Sequence, residues 1–187
     1  MRFAPRRFAS VLVVIAGIAS CAVSPGSASA GPYRGRVIDA ETKEPLVGAV
    51  VLVYWNLFAL VPGHPERFLD AEEALTDGRG EFSIGAHPPS APLPGTKVSE
   101  PHISILKPGY APFPYGHTAP PWPPRGYEEL LEMMQQSPIL IELPRLKTQA
   151  EARRMLDLVN PLAVPQERIP RMIETFDAAR RQLYQLP

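Results

Sequence analysis

Apolar and polar positions form short alternating blocks through the middle of this chain, and helical stripes occur only in its last third. Tyr33, Gly35 and Val37 fall on one side of an extended chain and Arg34, Arg36 and Ile38 on the other, which predicts a strand over residues 33–39. Asp39-Ala40-Glu41-Thr42-Lys43-Glu44-Pro45 is a polar turn. Gly48 to Trp55 reads Gly-Ala-Val-Val-Leu-Val-Tyr-Trp, a β-branched and aromatic run that is the strongest strand signal here. Short strands at Glu73–Thr76 and Glu81–Ile84 flank Asp77-Gly78-Arg79-Gly80, which predicts a hairpin, since glycine takes positive φ without steric cost. His102–Lys107, ended by Pro108-Gly109, and Ile139–Leu143 complete the strands.

Three stretches follow the helical period. Tyr127, Leu130, Leu131 and Met134 share one face, and Ser137-Pro138 stops the helix. Thr148-x-x-Glu151 is a capping box, followed by Ala152, Met155, Leu156 and Val159 on one face and ended by Asn160-Pro161. Ile169, Met172, Ile173, Phe176 and Leu183 mark a further helix, with Pro170 tolerated in its first turn. Residues 148–187 are expected to form a helical hairpin. Such a hairpin packs on the strands, docks a partner or pairs between copies.

Composition narrows the class. Proline makes up 24 of 187 residues, well above the usual ~5%, which excludes a mainly helical chain. Basic and acidic residues both number 19, without the basic excess of a nucleic-acid binder, so no nucleic-acid partner is expected. The single cysteine, Cys21, excludes an intramolecular disulfide.

The N-terminus reads as an address. Arg2, Arg6 and Arg7 precede the nine-residue apolar run Val11–Ala19. Nine residues rise about 14 Å in a helix, against about 30 Å of hydrocarbon, so residues 1–20 fit a signal peptide and not a membrane span. Ile18-Ala19-Ser20-Cys21 resembles the bacterial lipobox, which implies a diacylglyceryl group on Cys21 and cleavage before it. Ala22 in place of Asp resembles outer-membrane sorting. Residues 21–32 would then be a flexible tether. The rival site is Ala28-Ser29-Ala30, which would release a soluble secreted or periplasmic chain from Gly31. Loss of residues 1–20 removes three arginines and no acid, leaving 16 basic against 19 acidic residues.

Four pieces stand in a family's order. Gly35-Arg36-Val37-Ile38-Asp39, Glu44-Pro45-Leu46-Val47-Gly48-Ala49-Val50-Val51, Thr76-Asp77-Gly78-Arg79-Gly80-Glu81-Phe82 and Ile105-Leu106-Lys107-Pro108-Gly109-Tyr110 resemble the carboxypeptidase regulatory-like domain. The resemblance covers residues 33–143 and implies a mainly β fold, a seven-stranded antiparallel transthyretin-like β-sandwich. Within it Asp77 would accept turn hydrogen bonds, Gly80 would be left-handed, Phe82 would fill the core, and Gly48 would admit a neighbouring chain. Residues 56–72, with Phe58, Leu60, Val61, Phe68 and Leu69, and residues 108–137 read as insertions into the compact pattern. Long ordered insertions are where binding sites are sought.

Candidate chemistry is sparse. Pro108–Pro124 holds seven prolines among Tyr110, Phe113, Tyr115, His117 and Trp122. Proline stiffens such a loop and rings give contact area at low entropic cost, so Tyr110, Tyr115, His117 and Trp122 are the candidate ligand-binding residues. The alternative is that the rings cover the end of the sandwich. His64, His87, His102 and His117 show no metal-ligand spacing, and no nucleophile elbow or phosphate loop occurs. Tyr110, Tyr115, His102 and His117 lack the signature of the iron dioxygenases that share a related sandwich. No cofactor and no catalysis are therefore expected. The leading expectation is a non-enzymatic envelope lipoprotein, membrane-bound through Cys21, whose sandwich is a binding, adhesion or assembly module for a protein or glycan. The alternatives are an accessory subunit docking through the C-terminal helices and, more distantly, a metal-dependent enzyme.

Overall fold

The computed structural model describes residues 31–61, 63, 65–85, 94–114, 126–159 and 164–186. Among these, seven strands form two sheets and are joined by three helices. The strands are β1 (Tyr33–Asp39), β2 (Val50–Ala59), β3 (Arg67–Leu75), β4 (Glu81–Ile84), β5 (Thr96–Val98), β6 (His102–Leu106) and β7 (Ile139–Leu143). The helices are α1 (Tyr127–Gln136), α2 (Gln149–Leu158) and α3 (Pro170–Leu183). One sheet has the order β4-β1-β7. In the other, β2 pairs with β3 along one edge, and with β6 near its start and β5 near its end along the other.

β2 explains its own sequence. Val51, Val53 and Trp55 point into the core between the sheets, where they meet Tyr33, Val37, Ile84, Ile105 and Ile141. Val50 and Leu52 point the other way, into a second core with Met155, Leu156, Ile169, Met172 and Leu183 of the C-terminal region. A strand buried on both faces needs a continuous apolar run. α1 closes the first core with Leu130, Leu131 and Met134, the residues of its predicted face. The C-terminal helices therefore pack on the sandwich, and their apolar stripes are buried there.

Four expectations are corrected. The sheets are not wholly antiparallel: β1 and β7 run parallel from Gly35↔Ile139 to Asp39↔Leu143, which is open to strands separated by a long connection. Asp77–Gly80 does not close a hairpin. β3 pairs with β2 and β4 pairs with β1, so this turn is a corner between sheets. Its local chemistry is as read: Asp77 Oδ1 accepts from the N–H groups of Arg79 (2.8 Å) and Glu81 (2.9 Å), Gly80 has φ 75°, and Phe82 is buried. Most of the supposed insertion 56–72 is strand, because β2 runs on to Ala59 and β3 begins at Arg67. Gly48 is needed for its φ of 68° rather than for close packing, since a Cβ there would meet only Lys107 Nζ at 3.8 Å.

Helix ends are tied by named groups. Thr148 Oγ1 accepts from Glu151 N–H at 3.2 Å, while the Glu151 carboxylate turns back to Lys147 N–H at 3.1 Å. α3 has no cap from its own chain start, and Pro170 occupies its first turn. Its N-terminus is capped from β3 instead: Glu73 accepts from Arg171 N–H (3.1 Å) and Met172 N–H (2.6 Å). Arg168 pairs with Asp70 just beside it. A carboxylate facing free N–H groups and the positive end of the dipole fixes where α3 sits. Glu73→Ala is expected to cost about 1 kcal/mol and to speed exchange of the Arg171 and Met172 amides roughly tenfold. Hydrogen exchange at those two amides is the check.

Candidate functional site

The densest polar constellation lies at the end of β1. Asp39 is wholly buried and accepts four hydrogen bonds. Oδ1 takes the N–H groups of Glu41 (2.8 Å) and Thr42 (3.1 Å). Oδ2 takes the Tyr110 hydroxyl (3.0 Å) and Arg145 Nε (2.7 Å). Arg145 also lies over the Tyr110 ring, 5.3 Å from its centroid, and the backbones of Tyr110 and Arg145 form a bridge. Around this centre Lys147 pairs with Glu41 at 2.6 Å and Lys43 with Glu142 at 2.7 Å.

The electrostatics decide what this group can do. Burial pushes the Asp39 carboxyl up, but the Thr42 and Glu41 N–H groups, the Tyr110 hydroxyl and Arg145 bring it down to about 2. Burial and the hydrogen bond to Asp39 raise Tyr110 above its usual 10. The hydrogen bond to Asp39 likewise raises Arg145. A general acid or base works best with a pKa near the operating pH, and these shifts move both Asp39 and Tyr110 away from neutrality. Each lone pair of Asp39 that geometry offers is already engaged. The constellation is a clamp that ties the 39–42 turn, the chain after β6 and the chain after β7.

Thr76 and Ser99, the other buried polar residues, also hold the frame. Thr76 Oγ1 accepts from Ala49 N–H (2.8 Å) and donates to Leu46 O (2.5 Å) at the corner between sheets. Ser99 Oγ accepts from Asn56 N–H at 2.9 Å, where β5 gives way to β6 along β2. His102 stacks on Tyr54 across the β2–β6 pair, with ring centroids 4.7 Å apart.

Of the residues singled out from sequence, Tyr110 is thus joined to Asp39 and Arg145. Cys21, Tyr115, His117 and Trp122 lie outside the described residues. The likeness to an iron site through His102 and Tyr110 finds no geometric support: His102 sits at the start of β6 against Tyr54, whereas Tyr110 bonds beyond the end of that strand. Among the described residues no three His, Cys, Asp or Glu side chains converge.

Two surface features stand out among the described residues. The first is a groove of about 350 Å³ between α2 and α3, lined by Arg153, Leu156, Asp157, Phe176, Arg180 and Tyr184 among others. Leu156 and Phe176 form its apolar floor over the second core, and Tyr184 stands at its rim, largely exposed. Arg153 and Arg180 make no ion pair among the described residues. The doublets Arg153-Arg154 and Arg180-Arg181 were the available sequence signal, but only the packing of α2 on α3 brings them to one groove. The second feature is the far end of β2, where Phe58, Leu60 and Val61 are 43%, 66% and 59% exposed. Comparison with known protein families, with curated proteins and with solved structures finds no match to this chain.

Proposed function

We propose that this chain is a non-enzymatic, lipid-anchored envelope protein whose transthyretin-like sandwich, with its C-terminal helices, is an assembly module. The observation that carries the binding role is the α2–α3 groove. It offers two arginines that form no ion pair among the described residues, against one aspartate, Asp157, with an apolar floor and an exposed tyrosine, a composition that suits an acidic, partly apolar peptide segment. Asp39, Thr76 and Ser99, by contrast, are engaged in holding the frame. That distribution favours a binding scaffold over a catalyst. The same groove gives weight to the reading as an accessory subunit, because it places the docking chemistry on the helices and leaves their apolar faces on the sandwich. The glycan reading rests on Tyr115 and Trp122 and on sequence alone.

Two measurements test this. The intact mass of the mature protein from its membrane fraction should equal residues 21–187 plus acyl groups, and the acyl mass should vanish in Cys21→Ala. A lipid-free mass matching residues 31–187 would overturn the anchor in favour of the Ala30 cleavage. A photo-crosslinker at Tyr184 in intact cells should give a discrete adduct, at least tenfold weaker in Arg153→Glu/Arg180→Glu. An adduct indifferent to that charge reversal would remove the groove from the proposal.

A further inference from the structure

The far end of β2 is an apolar projection on a paired backbone. β2 continues to Ala59, and its last residues pair on both sides: Leu57 with Arg67 of β3 and with Val98 of β5, and Phe58 with Lys97. Leu60 N–H donates to Gly95 O at 2.9 Å, which extends the tie one residue further. Phe58, Leu60 and Val61 nevertheless stand out into solvent. Three large apolar side chains within four residues, held on a fixed backbone, form a contact surface.

The flanks carry two cations that reach the tip. Lys97 lies directly across from Phe58 and Arg67 directly across from Leu57, and both are exposed. Residues 57–61 and 94–98 contain no acid. Two exposed acids stand close by: Glu66, next to Arg67 and accepting a hydrogen bond from Asn56 Nδ2 at 2.8 Å, and Glu100, two residues after Val98. An apolar tip with Lys and Arg beside it matches a phospholipid interface, where rings and aliphatic chains enter the acyl boundary and cations meet phosphates.

Topology sets which way the tip faces. The bonds Val37 N–H to Gly80 O, Leu46 N–H to Val37 O and Gly48 N–H to Thr76 O gather the end of β1, the start of β2 and the end of β3 at one end of the sandwich. Tyr33, at the start of β1, and Ala59, at the end of β2, therefore both lie toward the opposite end. Residues 22–32, between Cys21 and the start of β1, span at most about 35–40 Å. An anchor on Cys21 thus puts the tip's end of the sandwich within reach of the membrane. Tethering makes the tip's contact intramolecular in effect, so a small apolar surface suffices.

We infer that Phe58, Leu60 and Val61 insert into the interface of a phospholipid bilayer, with Lys97 and Arg67 at the headgroup phosphates, and so orient the sandwich on the membrane. The inference rests on the reading that Cys21 is acylated. It makes the α2–α3 groove a site presented at a fixed orientation.

The test uses the full mature lipoprotein in vesicles of phosphatidylethanolamine and phosphatidylglycerol. Acylation blocks the only natural thiol, so Leu60→Cys takes a single environment-sensitive fluorophore, and Gly78→Cys labels the opposite end. The Leu60→Cys label should shift to the blue and be quenched at least twofold by lipids brominated near the headgroup, while the Gly78→Cys label emits as in water. Adding Phe58→Ser and Val61→Ser should abolish the shift without detaching the protein. An acylated, vesicle-bound protein whose tip label emits as in water overturns the inference, and shielding seen only in native envelopes replaces the bilayer by a protein partner. A chain without acyl mass that still floats with vesicles and shifts the tip label upholds the tip and removes the anchor. A chain without acyl mass that does not float overturns both.

Discussion

Among the described glycines, Gly80→Ala should be the most damaging change to alanine, with an expected loss of about 4 kcal/mol. Gly80 has φ 75°, a region that costs an L-residue roughly 1 kcal/mol or more. Space is the larger problem. A Cβ would lie 2.4 Å from Val37 O, 3.2 Å from Pro45 Cβ and 3.3 Å from Leu46 N. Two of these contacts are backbone atoms that cannot swing aside. They also bond to each other, Leu46 N–H donating to Val37 O at 3.0 Å, and Val37 N–H donates to Gly80 O at 2.8 Å. Any shift that admits the methyl group breaks the ties joining β1 to the corner between the sheets. Against a total stability of about 5–15 kcal/mol, that loss removes much of the folded population's margin. Gly78 supplies the control from the same turn. Nothing lies within 4 Å of a Cβ there, so Gly78→Ala should leave stability within about 0.5 kcal/mol. Urea midpoints of the two variants decide the matter, and equal midpoints would show that the corner is far more yielding than its geometry.

The contrast between these two glycines also shows what was legible in the sequence. Asp77-Gly78-Arg79-Gly80 announces a tight turn with a left-handed glycine, and that local chemistry holds. It carries no information on whether the flanking strands join the same sheet. Sheet partners are set by which faces become buried, and Phe82 and Ile84 are buried beside β1 rather than beside β3. Strands and helices with a clear period were readable for that reason: β1, most of β2, β4, β6, β7 and the buried faces of all three helices. β5 was not, because three residues hold no period and Thr96–Val98 depend on the overhang of β2. Residues 67–72 of β3 were hidden by their acids, of which Asp70 is engaged by Arg168. Asp39 stood inside a recognisable motif, yet its partners Tyr110 and Arg145 are 71 and 106 residues away, and nothing near Asp39 names them.

The second large effect is expected at that clamp. Asp39→Ala should cost about 3 kcal/mol at neutral pH. The change removes four hydrogen bonds and leaves the Glu41 and Thr42 N–H groups without their acceptor. Loss of a fully buried ion-pair partner costs about 3–5 kcal/mol, but Arg145 is half exposed and regains water, which favours the lower figure. Asp39→Asn should be milder, because its amide oxygen still accepts from the turn while its NH₂ group faces Arg145 as donor against donor. The pH dependence separates charge from shape. The Asp39 carboxyl falls from 3.8 to about 2 on folding, so the unfolded chain binds the proton more readily. Its contribution is fully present above about pH 4 and is lost as pH falls toward 2, a change of at most about 2 kcal/mol. Asp77 shifts in the same direction through the Glu81 and Arg79 N–H groups, and other carboxylates titrate nearby. The acid slope of the wild type alone therefore assigns nothing to Asp39. The difference between wild type and Asp39→Asn does, because it cancels every other group. Urea midpoints from pH 5 to pH 2.5 should converge for the two proteins. Parallel curves would mean that Asp39 is not held ionised by its four donors, and that the clamp joins the turn to Tyr110 and Arg145 by shape instead of charge.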